Sequence, residues 1–335
     1  MHDFFEDVCQ YDLALIFDYF IFKKLIALEV LNIKVRGFSF CYHDRQNKPP
    51  EISKDHIKNK RIILSAAKMQ SLVRNLPIMI GNLIPKCSEH WQLVLKLADI
   101  TDIITVNHYQ PEYCDLLKCV VNEYLVTLLK LFPNSLKPKN HFLVHYTTVM
   151  KVSGALRNLS SMRGESKNKE SKEFATVAIN RINICYTITT KHQLKLNHYF
   201  HNFKTPDDFI TGPIKNQTVV FEKFLTDNGL SKDMFEGSWL KFNDQYLTQN
   251  SIIMVPTKHG PVFYNVQTIS IAKDNKALVF SQGIEAHLDE DVHAFIVINY
   301  SISYKIFFWN ELKYCIVTHK IRAGNGNEYI LKRWI

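Results

Sequence analysis

The chain has 335 residues, 46% of them hydrophobic and 22% charged, with a net charge of +9. That balance is a globular protein's, and the length leaves room for two cores, so solenoid, disordered and low-complexity classes are set aside. With no run of eighteen uncharged apolar residues, a membrane span has no support and no membrane partner is expected.

The chain opens "MHDFFEDVCQYD", acidic where a secretory signal needs a positive region. Its seven cysteines are odd in number and scattered, which gives no disulfide framework. The expected setting is therefore nuclear or cytoplasmic, not secreted. From Met1 to about Lys204 apolar residues recur at three and four. "YDLALIFDYFIFKKLIALEVL", "SAAKMQSLVRNLPIMIGNLI", "WQLVLKLADITDIITV" and "CDLLKCVVNEYLVTLLKLF" are read as core-forming helices. Pro49 and Pro50 interrupt the first pair. "KPKNHFLVHYTTVMKVSGAL" is a further helix with Gly154 near its end, and a long segment from Glu165 to about His201 follows.

After "TPDDFITGP" the pattern changes. "SIIMVPT", "PVFYNVQTISIA", "KALVFSQGI", "AFIVIN", "YKIFFW", "YCIVTHKI" and "EYILKRW" are short and rich in Val, Ile, Phe and Tyr, and "KHGP", "KDNK" and "AGNGNE" separate them as turns. The expected fold is α+β: a mainly helical part over 1–209, then a small all-β barrel or sandwich over 210–335.

Charge is unevenly placed. Between residues 133 and 204 twelve Lys and Arg meet three acidic residues, and the rest of the chain is balanced. A localised basic excess is the footprint of a polyanion such as nucleic acid, because each phosphate neutralised releases counterions. Lys137, Lys139, Lys151, Arg157, Arg163, Lys167, Lys169, Lys172, Arg181 and Lys191 are the candidate backbone contacts. Glu165 stands among them. Locally it is a first-turn helix acid favoured by the dipole; the alternative is a metal-binding carboxylate beside a phosphate-binding face, which needs partner acids.

His141 and His145 in "NHFLVHY" are four apart, on one helical face where they could share a metal. The stretch lacks the Glu of a zinc-protease helix, and Cys114 and Cys119 lie too far away to complete a finger, so core or network histidines are expected. No nucleophile elbow or Gly-rich phosphate loop is present. "GNG" at Gly324 to Gly326 fits a hairpin turn.

"MHDFFEDVCQYDLALIFDYFIFKKLIALEVLN", "ILSAAKMQSLVRNLPIMIGNLIP", "LKPKNHFLVHYTTVMKVSGALRNLSSMRGESKNK" and "KHQLKL", in that order, resemble the C-terminal half of transposase-derived proteins of animal genomes, distantly similar to the CACTA (EnSpm-like) group. The resemblance implies a remnant of an RNase H-like domain with helical insertions, in a family that cuts and joins DNA with Mg2+. It places Glu165, in "MRGESKN", as the last metal-binding acid and His2 in the family's His motif, with two Asp residues expected before residue 1. Gly164, Asn168, Thr147 and Asp7 depart from the family's Phe, His, Pro and Gly. With one acid of three, two-metal catalysis is not expected and no cofactor is implied; Mg2+ would bind at Glu165 only with a completed set.

The expected function is therefore a catalytically inactive, transposase-derived protein that binds the DNA backbone non-specifically. One alternative is a protein-interaction scaffold in which the β domain offers a strand edge, Tyr304, Phe307, Phe308 and Trp309 being expected mostly in its core. Another is a fragment of an active Mg2+-dependent transposase or nuclease, with Glu165 joined by acids such as Asp3, Glu6 or Asp7.

Overall fold

The computed structural model describes residues 2–40, 45–106, 109–178, 182–201, 209–215, 226–227, 229, 234–242, 245–272, 277–323 and 326–332, without the side chains of 161–167, 199 and 215. The fold is α+β, helices first and a β barrel after. A π-helical turn, Asp3–Val8, leads into α1 (Cys9–Phe22). The apolar period runs unbroken from Tyr11 to Leu31, yet the helix stops at Phe22. Lys24 takes a φ of 54°, and the Leu25 and Lys24 amides donate to the Phe20 and Ile21 carbonyls at 2.8 and 3.0 Å. This is a Schellman closure with Lys where Gly is usual, and Leu25 packs on the core as the closing contact.

The chain continues through α2 (Leu28–Gly37), α3 (Lys54–Lys58), α4 (Ala66–Ile80), α5 (Glu89–Ile104) and α6 (Glu112–Leu131). Then come α7 (Pro138–Ser153), α8 (Ser161–Val177) and α9 (Ile184–His201). Ser88 caps α5 by accepting from the Trp91 amide. Gly154, at φ 76°, ends α7 where other residues would be strained. The long segment from Glu165 to His201 is thus two helices. Glu165 lies in the second turn of α8, not the first, so the dipole does not account for it.

One core joins the N-terminal helices from Phe4 to Leu156, with Phe17, Phe20, Trp91 and Tyr124 wholly buried. None of its residues comes from α8 or α9 among the described residues. The "SMRGESKNKESKEF" stretch that makes up most of α8 has no apolar stripe to bury.

The strands are β1 (Ile210–Thr211), β2 (Ile214–Lys215), β3 (Phe235–Gly237), β4 (Trp239–Phe242), β5 (Gln245–Thr248), β6 (Ser251–Val255), β7 (Val262–Ile271), β8 (Ala277–Asp289), β9 (Ala294–Phe308), β10 (Ile316–Arg322) and β11 (Glu328–Leu331). Antiparallel pairing in the order β7, β6, β10, β11, β9, β8 closes through β7 and β8 into a six-stranded barrel. The pair β2 and β3 extends β7, and β1, β4 and β5 form a separate small sheet. The ring closes, but β11 covers only the first residues of β9, and beyond Val297 β9 pairs with β8 alone among the described residues, which leaves that stretch an edge.

"AFIVIN" and "YKIFFW" are one strand. Two register shifts opposite β8, at Gln282/Ile284 and Glu285/Ala286, let a fifteen-residue β9 bend around the barrel. "KDNK" lies outside the described residues, whereas "AGNGNE" does join an antiparallel pair, β10 and β11. Of the four aromatics expected in the core, Phe307 is buried and Trp309 half-buried, but Tyr304 and Phe308 are exposed. Alternation along β9 sends neighbouring side chains to opposite faces.

The barrel meets the helices through the turn between β8 and β9. Val292 packs with Ile78, and a methyl group on Gly81 would come within 2.7 Å of it. Trp91 Nε1 donates to the Asp291 carbonyl at 2.9 Å, and Lys86 pairs with the Asp291 carboxylate. His293, at φ 49°, brings Nδ1 to 3.3 Å from Asp99 Oδ1, which also faces Lys332 Nζ at 3.7 Å.

Candidate nucleic-acid interface

The orientation of α7 determines which of the basic residues face outward. Its inner side is Asn140, Leu143, Tyr146 and Met150, spaced by three and four and buried. Asn140 ties the start of the helix in two directions. Its Oδ1 accepts from the Lys137 amide at 2.8 Å, and its Nδ2 donates to Asp12 Oδ2 at 3.0 Å. The Tyr124 hydroxyl donates to the same Asp12 oxygen, so α1, α6 and α7 meet at one carboxyl. Burial pushes that carboxyl up to about 7, against the pull of Tyr124, Asn140 and the Lys137 charge. Further along, the Tyr146 hydroxyl donates to Asp3 Oδ1 at 2.8 Å, and burial, with the Asp3 charge, holds that phenol far above its ordinary value.

The predicted contacts divide into tied and untied. Lys137 Nζ lies 5.3 Å from the centre of the Tyr11 ring, and Lys139 Nζ is 3.5 Å from Asp7 Oδ2. Lys151 Nζ is 3.5 Å from Asp115 Oδ1, both exposed. Arg157 is half-buried on the 3-10 turn Leu156–Leu159 and is engaged within the protein. On the α8 and α9 hairpin, Lys191 Nζ sits 5.9 Å from the Phe174 ring centre. Lys169 and Lys172 are exposed on α8, with no ion pair among the described residues. Arg181 and the side chains of Arg163, Lys167 and Glu165 lie outside the described residues.

Lys195 escaped the sequence reading because nothing local separates it from its neighbours; it pairs with Glu170 across the hairpin. Beside that pair an open groove has an apolar floor of Phe174, Val177 and Leu194 and a charged rim of Glu173, Lys191 and Lys195.

The acids that a nuclease would recruit are engaged in structure. Asp3 holds Tyr146, Glu6 Oε1 accepts from the Ala66 amide at 2.9 Å, and Asp7 faces Lys139. His2 Nδ1 lies 3.4 Å from Glu6 Oε2. Among the described residues no group of three or more His, Cys, Asp or Glu is placed to hold a metal ion, and no helix is long and apolar enough to cross a membrane.

His141 and His145 are neither core residues nor members of a wider network among the described residues. Both are exposed on the outer side of α7, where the inward positions 140, 143 and 146 place them, and their Nε2 atoms are 3.1 Å apart. No protein-family model, no curated protein and no solved structure matches the chain.

Proposed function

We propose that this chain binds the phosphate backbone of duplex DNA, without reading bases, through α7, α8 and α9. The observation that carries the reading is the position of the basic excess, on helices of which α8 and α9 add nothing to the described core, with Lys169 and Lys172 exposed. Lysines held out of a core, with no ion pair among the described residues to break, lose little on meeting a phosphate and release its counterions. Lys137, Lys139 and Lys151 contribute less, since each already has an aromatic or acidic neighbour. The resemblance to CACTA-like transposase-derived proteins, with its implied RNase H-like remnant, supports duplex DNA as the polyanion. Binding alone is proposed, because Asp3, Glu6 and Asp7 are occupied in holding helices together.

The test is a salt titration of binding to a random-sequence duplex. Affinity should fall steeply between about 50 and 200 mM salt, and Lys169→Gln and Lys172→Gln should each lower the log-log slope by about 0.9. Affinity that stays level across that range would sink the reading.

A second reading, a protein-binding barrel, has one observation in its favour. Ile298, Ile302, Tyr304 and Phe308 of β9 are all more than half exposed. A partner would dock on this exposed stretch or along its edge, since β9 beyond Val297 pairs with β8 alone among the described residues. Capture of a partner that Ile302→Ser abolishes, with DNA binding intact, would favour this reading over the first.

A further inference from the structure

The geometry points to a bidentate metal site formed by His141 and His145, a chelate for a borderline divalent cation such as Zn2+, Ni2+ or Cu2+. The pair is four residues apart within α7, so the backbone already holds the rings one above the other. Their Nε2 atoms are 3.1 Å apart, their ring centroids 4.8 Å apart, and the ring planes cross at 83°. For an ion about 2.1 Å from each nitrogen, those two separations fit imidazoles that both point at it. The N–metal–N angle is then about 95°, between the octahedral and tetrahedral values.

No ordinary packing role competes for these rings. Both residues are exposed, whereas the neighbouring Asn140, Leu143 and Tyr146 occupy the core side. The 3.1 Å contact requires a proton on one of the two Nε2 atoms and a lone pair on the other. On binding, that proton moves to Nδ1 of the same ring, which presents both Nε2 lone pairs to the cation. Two protein ligands leave the other positions to water or to an exchangeable outside ligand, unlike a closed structural zinc site. Imidazole donors suit zinc, copper and nickel better than magnesium or calcium. The site is thus distinct from any Mg2+ chemistry at Glu165.

Isothermal titration of the full chain with Zn2+ alone, under reducing conditions, tests the assignment. One ion should bind per chain at this site and raise the melting temperature. His141→Ala and His145→Ala should each weaken this binding by about a hundredfold or more, since one arm lost removes the chelate's effective concentration. His259→Ala, on the turn between β6 and β7, should bind as wild type does. Because exposed Cys87, Cys119, Cys185 and the α9 histidines offer competing donors, Cu2+ at one equivalent gives a second readout: nitrogen hyperfine structure from two imidazoles in the wild type and fewer in either variant. Zn2+ affinity equal in wild type and both variants, or a Cu2+ spectrum that neither substitution changes, would overturn the proposal.

Discussion

Asp12→Asn removes a pH-dependent penalty from the centre of the helical core. Asp12 is wholly buried where α1, α6 and α7 meet, and Tyr124 and Asn140 both donate to Oδ2. Oδ1 has no hydrogen-bond partner among the described residues. Burial raises the carboxyl from 3.8 to about 7, so the folded state prefers it protonated. A group raised in this way stabilises fully below its unfolded value, and that contribution is lost as pH rises through the folded one. At about 1.4 kcal/mol per unit, the loss over the whole range is about 4 kcal/mol, of which about 3 falls between pH 4.5 and 8.5. Asn keeps an acceptor for Tyr124 and Asn140 and carries no charge. Its amide would occupy the unpartnered side, at a cost of about 1–3 kcal/mol that does not change with pH. Urea unfolding of both proteins at matched pH values measures the result, and the difference between them cancels every group that titrates alike in both. The variant should gain about 3 kcal/mol on the wild type between pH 4.5 and 8.5. A difference constant to within about 0.5 kcal/mol would refute the reasoning.

Gly81→Ala should loosen the barrel's seat on the helices, because the added methyl meets Val292 at 2.7 Å and Trp91 at 3.1 Å; a loss of about 1–3 kcal/mol and a changed Trp91 fluorescence are expected. Asp99→Asn should create an acid-side weakness. Burial raises Asp99 to about 6, and burial with Lys332 and Lys96 lowers His293 to about 4. In the wild type these two proton balances offset one another between about pH 4 and 6. The Asn variant keeps only the histidine's, whose contribution is present above 6.5 and is lost as pH falls through 4, about 3 kcal/mol in thermal or urea unfolding. Lys169→Gln with Lys172→Gln should weaken duplex binding while leaving the melting temperature within about 1 °C, since both side chains are exposed.

The sequence by itself determined the class of structure, because apolar period and β-branched runs state which faces must leave water. The helices α4 to α7 and the strands β6, β7, β10 and β11 lie close to the stretches that carry those patterns. It also determined where the basic excess falls along the chain, since charge is a property of residue type. It could not show that Lys24 ends α1, because a Schellman closure without Gly leaves no composition signal. The short strands β1 to β5 were equally hidden, their pairing depending on partners rather than on local propensity. The candidate site was legible as a list of cations and two histidines. Only the tertiary structure decided which are available. Asp7, Asp115 and Tyr11 are distant in sequence from Lys139, Lys151 and Lys137, and packing brings each to its lysine. The same packing buries Asn140 on Asp12 and so turns His141 and His145 outward. A helical period places residues on a common face; which face meets solvent is settled by the neighbouring helices that the period does not name.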